Sequence, residues 1–139
     1  MSAYENARRL AALTEPTRKA LQTLEIEWQP DLPPSTVAMG TVARTLAAGM
    51  DRTPRDQIRK LLDFVEKLLT KADSNTKDAV ATGFLESLLG EASAGRLDFA
   101  VIDALLGDES RNYCHAWDNF TGFRTKGLSK LPISPTVGR

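Results

Sequence analysis

Ile58, Leu61, Leu62, Val65, Leu68, Leu69 and Ala72 fall within one narrow arc when the segment after Thr53 is wound as an α-helix. Arg59, Lys60, Asp63, Glu66, Lys67 and Lys71 fill the opposite face. A stripe of this kind stays together only at a 3.6-residue period, so the segment must bury one side of a helix against something else. Four further segments repeat apolar residues at the same spacing, and none alternates in twos as a half-buried strand would. The expected fold is therefore all-α, a single-domain bundle of about six helices, with stacked helical hairpins as a variant. The 139 residues fit one domain comfortably. A chain of that size buries roughly two thirds of its unfolded surface, enough to fold without disulfides or metal.

Punctuation divides the chain. Thr14 is placed to cap a second helix after a break near Thr14-Glu15-Pro16, and Thr17, Ala20, Leu21, Leu24 and Trp28 then share a face. Gln29-Pro30-Asp31-Leu32-Pro33-Pro34 cannot be helical and predicts a stiff extended linker, after which Ser35 is placed to cap. Met39, Val42, Ala43, Leu46 and Met50 make the next stripe. Thr53-Pro54 reads as a cap followed by a first-turn proline. Asp73-Ser74-Asn75-Thr76 breaks that helix and starts another, with Val80, Ala81, Phe84, Leu85, Leu88 and Leu89 on one side. Gly83 inside it costs about 1 kcal/mol relative to alanine, a cost that fits a close backbone approach. A short helix over 98–106 would end at Gly107, and Asp108 or Glu109 would open the last one, ending near Thr121-Gly122. The predicted division is a helical domain over 1–122 and an irregular basic tail over 123–139.

Net charge is zero, but unevenly spread: residues 1–72 sum to +2, 73–110 to −6 and 111–139 to +4. Without a dense basic stripe, nucleic acid is not an expected partner. The acidic stretch either lies under the chain's own basic tail or awaits a basic partner. No apolar run reaches transmembrane length, and the N-terminus lacks a signal-like core, so a cytoplasmic location with no membrane partner is expected. The lone cysteine, Cys114, permits no internal disulfide.

The residues offer little chemistry. Cys114 and His115 are adjacent, so on a helix their side chains diverge by about 100°, a poor nucleophile–base arrangement. His115 would point to solvent, opposite Tyr113, Trp117 and Phe120. Two potential Cys/His ligands are too few for a zinc site, Glu86 sits where a solvated acid belongs, and no Glu-x-x-His pair or phosphate-binding glycine loop occurs. The expectation is no catalytic residue, no metal and no cofactor. The aromatic-rich run is 113–124, which holds Tyr113, Trp117, Phe120 and Phe123. Tyr113, Trp117 and Phe120 have the spacing of a helix anchor, whereas Phe123 and Arg124, past the helix end, suit a surface contact.

Three stretches, Trp28–Pro34, Asp78–Leu89 and Leu106–Arg111 running on to Trp117-Asp118, resemble a group of small all-helical bacterial proteins. Some of these resemble immunity proteins of contact-dependent or other polymorphic toxin systems. The resemblance spans roughly residues 28–120, with Val80-Ala81-Thr82-Gly83-Phe84-Leu85-Glu86 its most specific part. It implies a protein that binds and neutralises one cognate toxin. The candidate partner interface is Asp78, Glu86, Glu91, Asp98, Asp103, Trp117, Asp118, Phe123 and Arg124, facing another protein such as a basic toxin domain. A helical adaptor binding a peptide or partner helix, and an enzyme with a motif-free carboxylate site, are the competing expectations.

Overall fold

The computed structural model describes residues 1–130. Its helices are α1 (Ala3–Ala11), α2 (Glu15–Trp28), α3 (Ser35–Ala48), α4 (Arg55–Lys71), α5 (Ser74–Asp78), α6 (Glu86–Ser93), α7 (Ala100–Asp103) and α8 (Asp108–Thr121). A π-helical stretch, Ala79–Leu85, joins α5 to α6, and a short 3₁₀ turn, Met50–Arg52, precedes α4. The all-α, single-domain expectation holds.

Local chemistry sets most boundaries. Ser2 and Glu5 form a reciprocal capping box that starts α1. Thr14 caps α2, its hydroxyl accepting the Thr17 N–H at 3.2 Å, while the Thr17 hydroxyl donates back to the Ala11 carbonyl at 2.6 Å. Asp73 caps α5 through the Thr76 N–H at 2.9 Å. Three expected caps differ. Ser35 and Arg55 are first helical residues behind Pro34 and Pro54, neither with a side-chain cap. Thr53 instead donates its hydroxyl to the Gly49 carbonyl at 2.7 Å, closing the 3₁₀ turn. Gly107 begins α8 rather than ending α7, because Leu105 and Leu106 are drawn into the core as the chain turns. Trp28 leaves the α2 stripe and is exposed, since α2 outruns the core beneath it.

The bundle gathers around α3, which packs against α1, α2, the π-helical stretch and α6. Ala38, Met39, Val42 and Ala43 are fully buried there. Gly83 lies where the π-helical stretch crosses α3 closely: a Cβ on it would sit 2.6 Å from the Thr36 carbonyl oxygen and 2.7 Å from the Met39 Cβ. The close approach expected of this glycine is what the structure shows. The wider π turn accommodates it without losing Phe84, Leu85 or Val80 from the core.

Candidate protein interface

The last helix is held by groups from elsewhere in the chain. Glu66 of α4 lies under its N-terminus and accepts from the Glu109 N–H (2.9 Å), the Ser110 N–H (2.9 Å) and the Ser110 hydroxyl (2.8 Å). A carboxylate there satisfies otherwise orphaned donors and complements the helix dipole. Neither Asp108 nor Glu109 caps α8, and Glu66 is half-buried rather than on a solvated face. A side chain on Gly107 would collide with the Glu66 carboxylate, so the glycine makes room for a cap from another helix.

At its other end α8 stops at Gly122, left-handed at φ 77°, whose N–H donates to the Asp118 carbonyl at 2.8 Å. The chain then turns back along the helix. Asp118 accepts from the Thr125 N–H and hydroxyl, both at 2.7 Å, and Thr125 is buried. Asp103 accepts from the Ser129 N–H (2.9 Å) and from Arg111 (2.7 Å), and Arg111 also donates to the Ser129 hydroxyl at 2.8 Å. Burial opposes ionisation of Asp103, but the Ser129 and Arg111 donors outweigh it and hold the carboxyl below the usual carboxylate range. His115 is half-buried, not turned to open solvent. Its Nε2 lies 2.7 Å from the Ser129 carbonyl, which can only accept, so that nitrogen carries the proton.

Residues 123–130 therefore clasp α7 and α8 without regular structure. Thr125, Leu128 and Ser129 make the contacts, while Arg124, Lys126 and Lys130 stay exposed. The tail is attached by hydroxyls, amides and one leucine, not by pairing its basic charges with the acidic helices. The remainder of the expected basic tail, 131–139, lies outside the described residues.

Cys114 is the fully buried core contact of α8, and burial, reinforced by the nearby Asp118 carboxylate, pushes its thiol up to about 12. A thiol so placed stays protonated at neutral pH and supplies no thiolate nucleophile. Among the described residues no group of three His, Cys, Asp or Glu side chains is arranged to hold a metal ion.

The aromatic run splits. Tyr113 and Trp117 are half-buried against the core, and the Tyr113 hydroxyl donates to the Glu86 carboxylate. Burial and that bond raise the Tyr113 pKa. Glu86 is accordingly no freely solvated acid. Phe120, expected to anchor the helix, is 83% exposed, its ring 6.0 Å from the Trp117 ring and tilted 37° to it. It follows Trp117 by three residues, but the helix ends one residue later and no element among the described residues reaches over it. Phe123 is 44% exposed.

Of the nine proposed interface residues, Glu86, Trp117, Asp118 and Phe123 line one cleft of about 270 Å³, floored by Leu89. Arg124 borders the adjoining groove with Asp118 and Phe123. Asp78 is exposed on α5 and close enough to Tyr113 to raise its pKa. The others have work within the chain. Glu91 takes both forks of Arg96 at 3.0 and 2.9 Å, Asp98 accepts the Ala100 N–H at 3.1 Å, and Asp103 holds the clasp. Phe120 was missed because its spacing matched the buried stripe; its place beside Thr121-Gly122 was the available signal that the helix was about to end.

A family model described as a domain of unknown function (DUF7674) matches residues 9–122. The chain belongs to the DUF7674 family. No curated protein and no solved structure matches it. The DUF7674 match ends at Gly122, so the clasp that carries Phe123, Arg124, Thr125 and Ser129 lies beyond the matched segment. The family description supplies no link to immunity proteins. No helix among the described residues is long and apolar enough to cross a membrane.

Proposed function

We propose that this DUF7674 protein is a non-enzymatic protein-binding module that engages its partner through the end of α8, its sharpest form being an immunity-type protein that neutralises a cognate toxin. The observation that carries the reading is the Phe120 ring, left in solvent against the Trp117 ring, where Trp117 also lines the cleft formed with Glu86, Asp118 and the exposed Phe123. Aromatic anchors of this kind supply most of the energy at protein interfaces. Asp78 is the acid best placed to attract a basic partner, because Glu86, Glu91, Asp98 and Asp103 already serve intramolecular donors.

The test pairs capture with rescue. The tagged protein is used to pull partners from lysate of its source cells, and any protein encoded next door is expressed alone and together with it. The expected result is one stoichiometric neighbour that is toxic alone, is neutralised by the wild-type chain, and escapes Phe120→Ser. A captured, non-toxic neighbour that still depends on Phe120 would leave the binding surface standing and remove the immunity role. Capture unaffected by Phe120→Ser and by Asp78→Lys with Glu86→Lys would overturn the surface itself.

A further inference from the structure

A second cleft, of about 340 Å³, lies between α1 and the last turns of α4, on residues the aromatic end does not use. Phe64, Leu68 and Ala72 of α4 and its C-terminal flank give it an apolar wall. Asn6 of α1 lines it from the other side. Asn6 is only 6% exposed, and among the described residues no hydrogen bond reaches its carboxamide. Its carboxamide is not sealed in the core but keeps access to the space of the cleft, where a ligand oxygen could take its N–H.

Three cations border the same space. Lys67 and Lys71 stand one helical turn apart on α4, and Arg9 projects from α1. None of the three lies within salt-bridge distance of a carboxylate among the described residues, so each is available to an anion in the cleft. Arg9 is held in position, its guanidinium 5.6 Å from the centre of the Phe64 ring and its Nη1 3.0 Å from the Met1 sulfur. The single acid on the lining is Asp73, whose Oδ1 accepts the Thr76 N–H as the cap of α5. With the Met1 ammonium, near enough to Asp73 to favour its ionised form, the lining residues carry four positive charges against one negative.

From this convergence we infer that the cleft binds a small carboxylate bearing an apolar group. The carboxylate lies among Arg9, Lys67 and Lys71, the Asn6 amide donates to one of its oxygens, and the apolar part rests on Phe64 and Leu68. A monoanion fits better than a phosphate dianion, because Asp73 repels the second charge and the apolar wall gives a phosphate nothing to cover. The volume is at the small end of ligand sites, which run from about 300 to 1,000 Å³.

The experiment is a ¹⁵N-resolved NMR titration of the full chain with hexanoate, and in parallel with hexanamide and inorganic phosphate. Hexanoate should give saturable shifts at the Asn6 side-chain amide, Arg9 and Phe64 in the millimolar range, and hexanamide should give none. Asn6→Leu should weaken binding about tenfold or more. The exposed double variant Lys67→Glu with Lys71→Glu should do the same, and it guards against an Asn6 variant that folds poorly. Lys60→Glu on the same helix should bind as the wild type, as should Phe120→Ser, which separates this site from the aromatic end. Absence of hexanoate shifts, equal shifts with inorganic phosphate, or shifts that survive the lysine reversals would overturn the assignment.

Discussion

At Gly83 the π-helical stretch comes so near α3 that a single methyl group would meet the Thr36 carbonyl. At Phe120, near the end of α8, a whole phenyl ring has nothing over it. Both positions lie on helices, Gly83 marked by the cost of a helical glycine and Phe120 by its helical spacing from Tyr113 and Trp117, yet one is over-determined and the other unsupported. Gly83 is enclosed because α3 crosses directly above it. Phe120 is open because Gly122 turns the chain away, and the returning strand of tail docks through Thr125 and Ser129 on a neighbouring edge. Close packing is therefore concentrated at the α3 crossing, and uncovered aromatic surface at the end of α8.

The comparison can be broken most sharply at Gly83. Gly83→Val should destabilise the chain by about 3 kcal/mol or more, because the atoms to be displaced include backbone; thermal or urea unfolding checks it. Gly83→Ala losing less than about 0.5 kcal/mol would mean that the crossing is slack.

Next in size is the clasp. Asp103→Ala strips the buried Arg111 of its carboxylate and should cost about 2–4 kcal/mol by urea unfolding. The pH dependence has a definite sign. The folded Asp103 carboxyl is held below its ordinary value of about 3.9. Its contribution is thus complete above that value and is lost as pH falls through the lowered one. The protection of the Ser129 amide, its exchange rate taken relative to that of an unstructured chain at the same pH, should fall on acidification below about pH 4 in the wild type. In Asp103→Asn that protection should be low throughout, and a wild-type protection indifferent to acid would refute the linkage.

Glu66→Ala, which removes the cap of α8 supplied by α4, should cost about 1–2 kcal/mol, with exchange rising first at the Glu109 and Ser110 amides. The smallest stability effect belongs to Phe120→Ser, within about 0.5 kcal/mol. If the proposed interface is right, the same substitution weakens partner binding by about 2 kcal/mol or more, measured by titration calorimetry. A large loss of stability there would show the ring to be part of the fold after all.

How far the sequence could be read differs from residue to residue. The stripes of α3 and α4, the cap at Thr14, the helix break at Asp73-Ser74-Asn75-Thr76 and the close approach at Gly83 follow from periodicity, side-chain hydrogen bonding and the cost of a helical glycine. All act within a few residues of chain. The role of Glu66 could not be read this way, because its partners are more than forty residues away and its place on the polar stripe is the same whether it meets water or a helix end. Asp103 and Glu91 looked like free acids for the same reason, since the sequence shows a charge but not what donates to it.

By itself, then, the sequence determined an all-helical chain, where most helices begin and break, and which side of each is apolar, because those properties are set by neighbours three and four residues apart. Only the tertiary structure decided which polar groups are occupied and which aromatic is bare. It brought Glu66 under α8, returned Thr125 and Ser129 to Asp118 and Asp103, and left Phe120 uncovered. Whether a side chain meets solvent depends on which distant element the packing places over it.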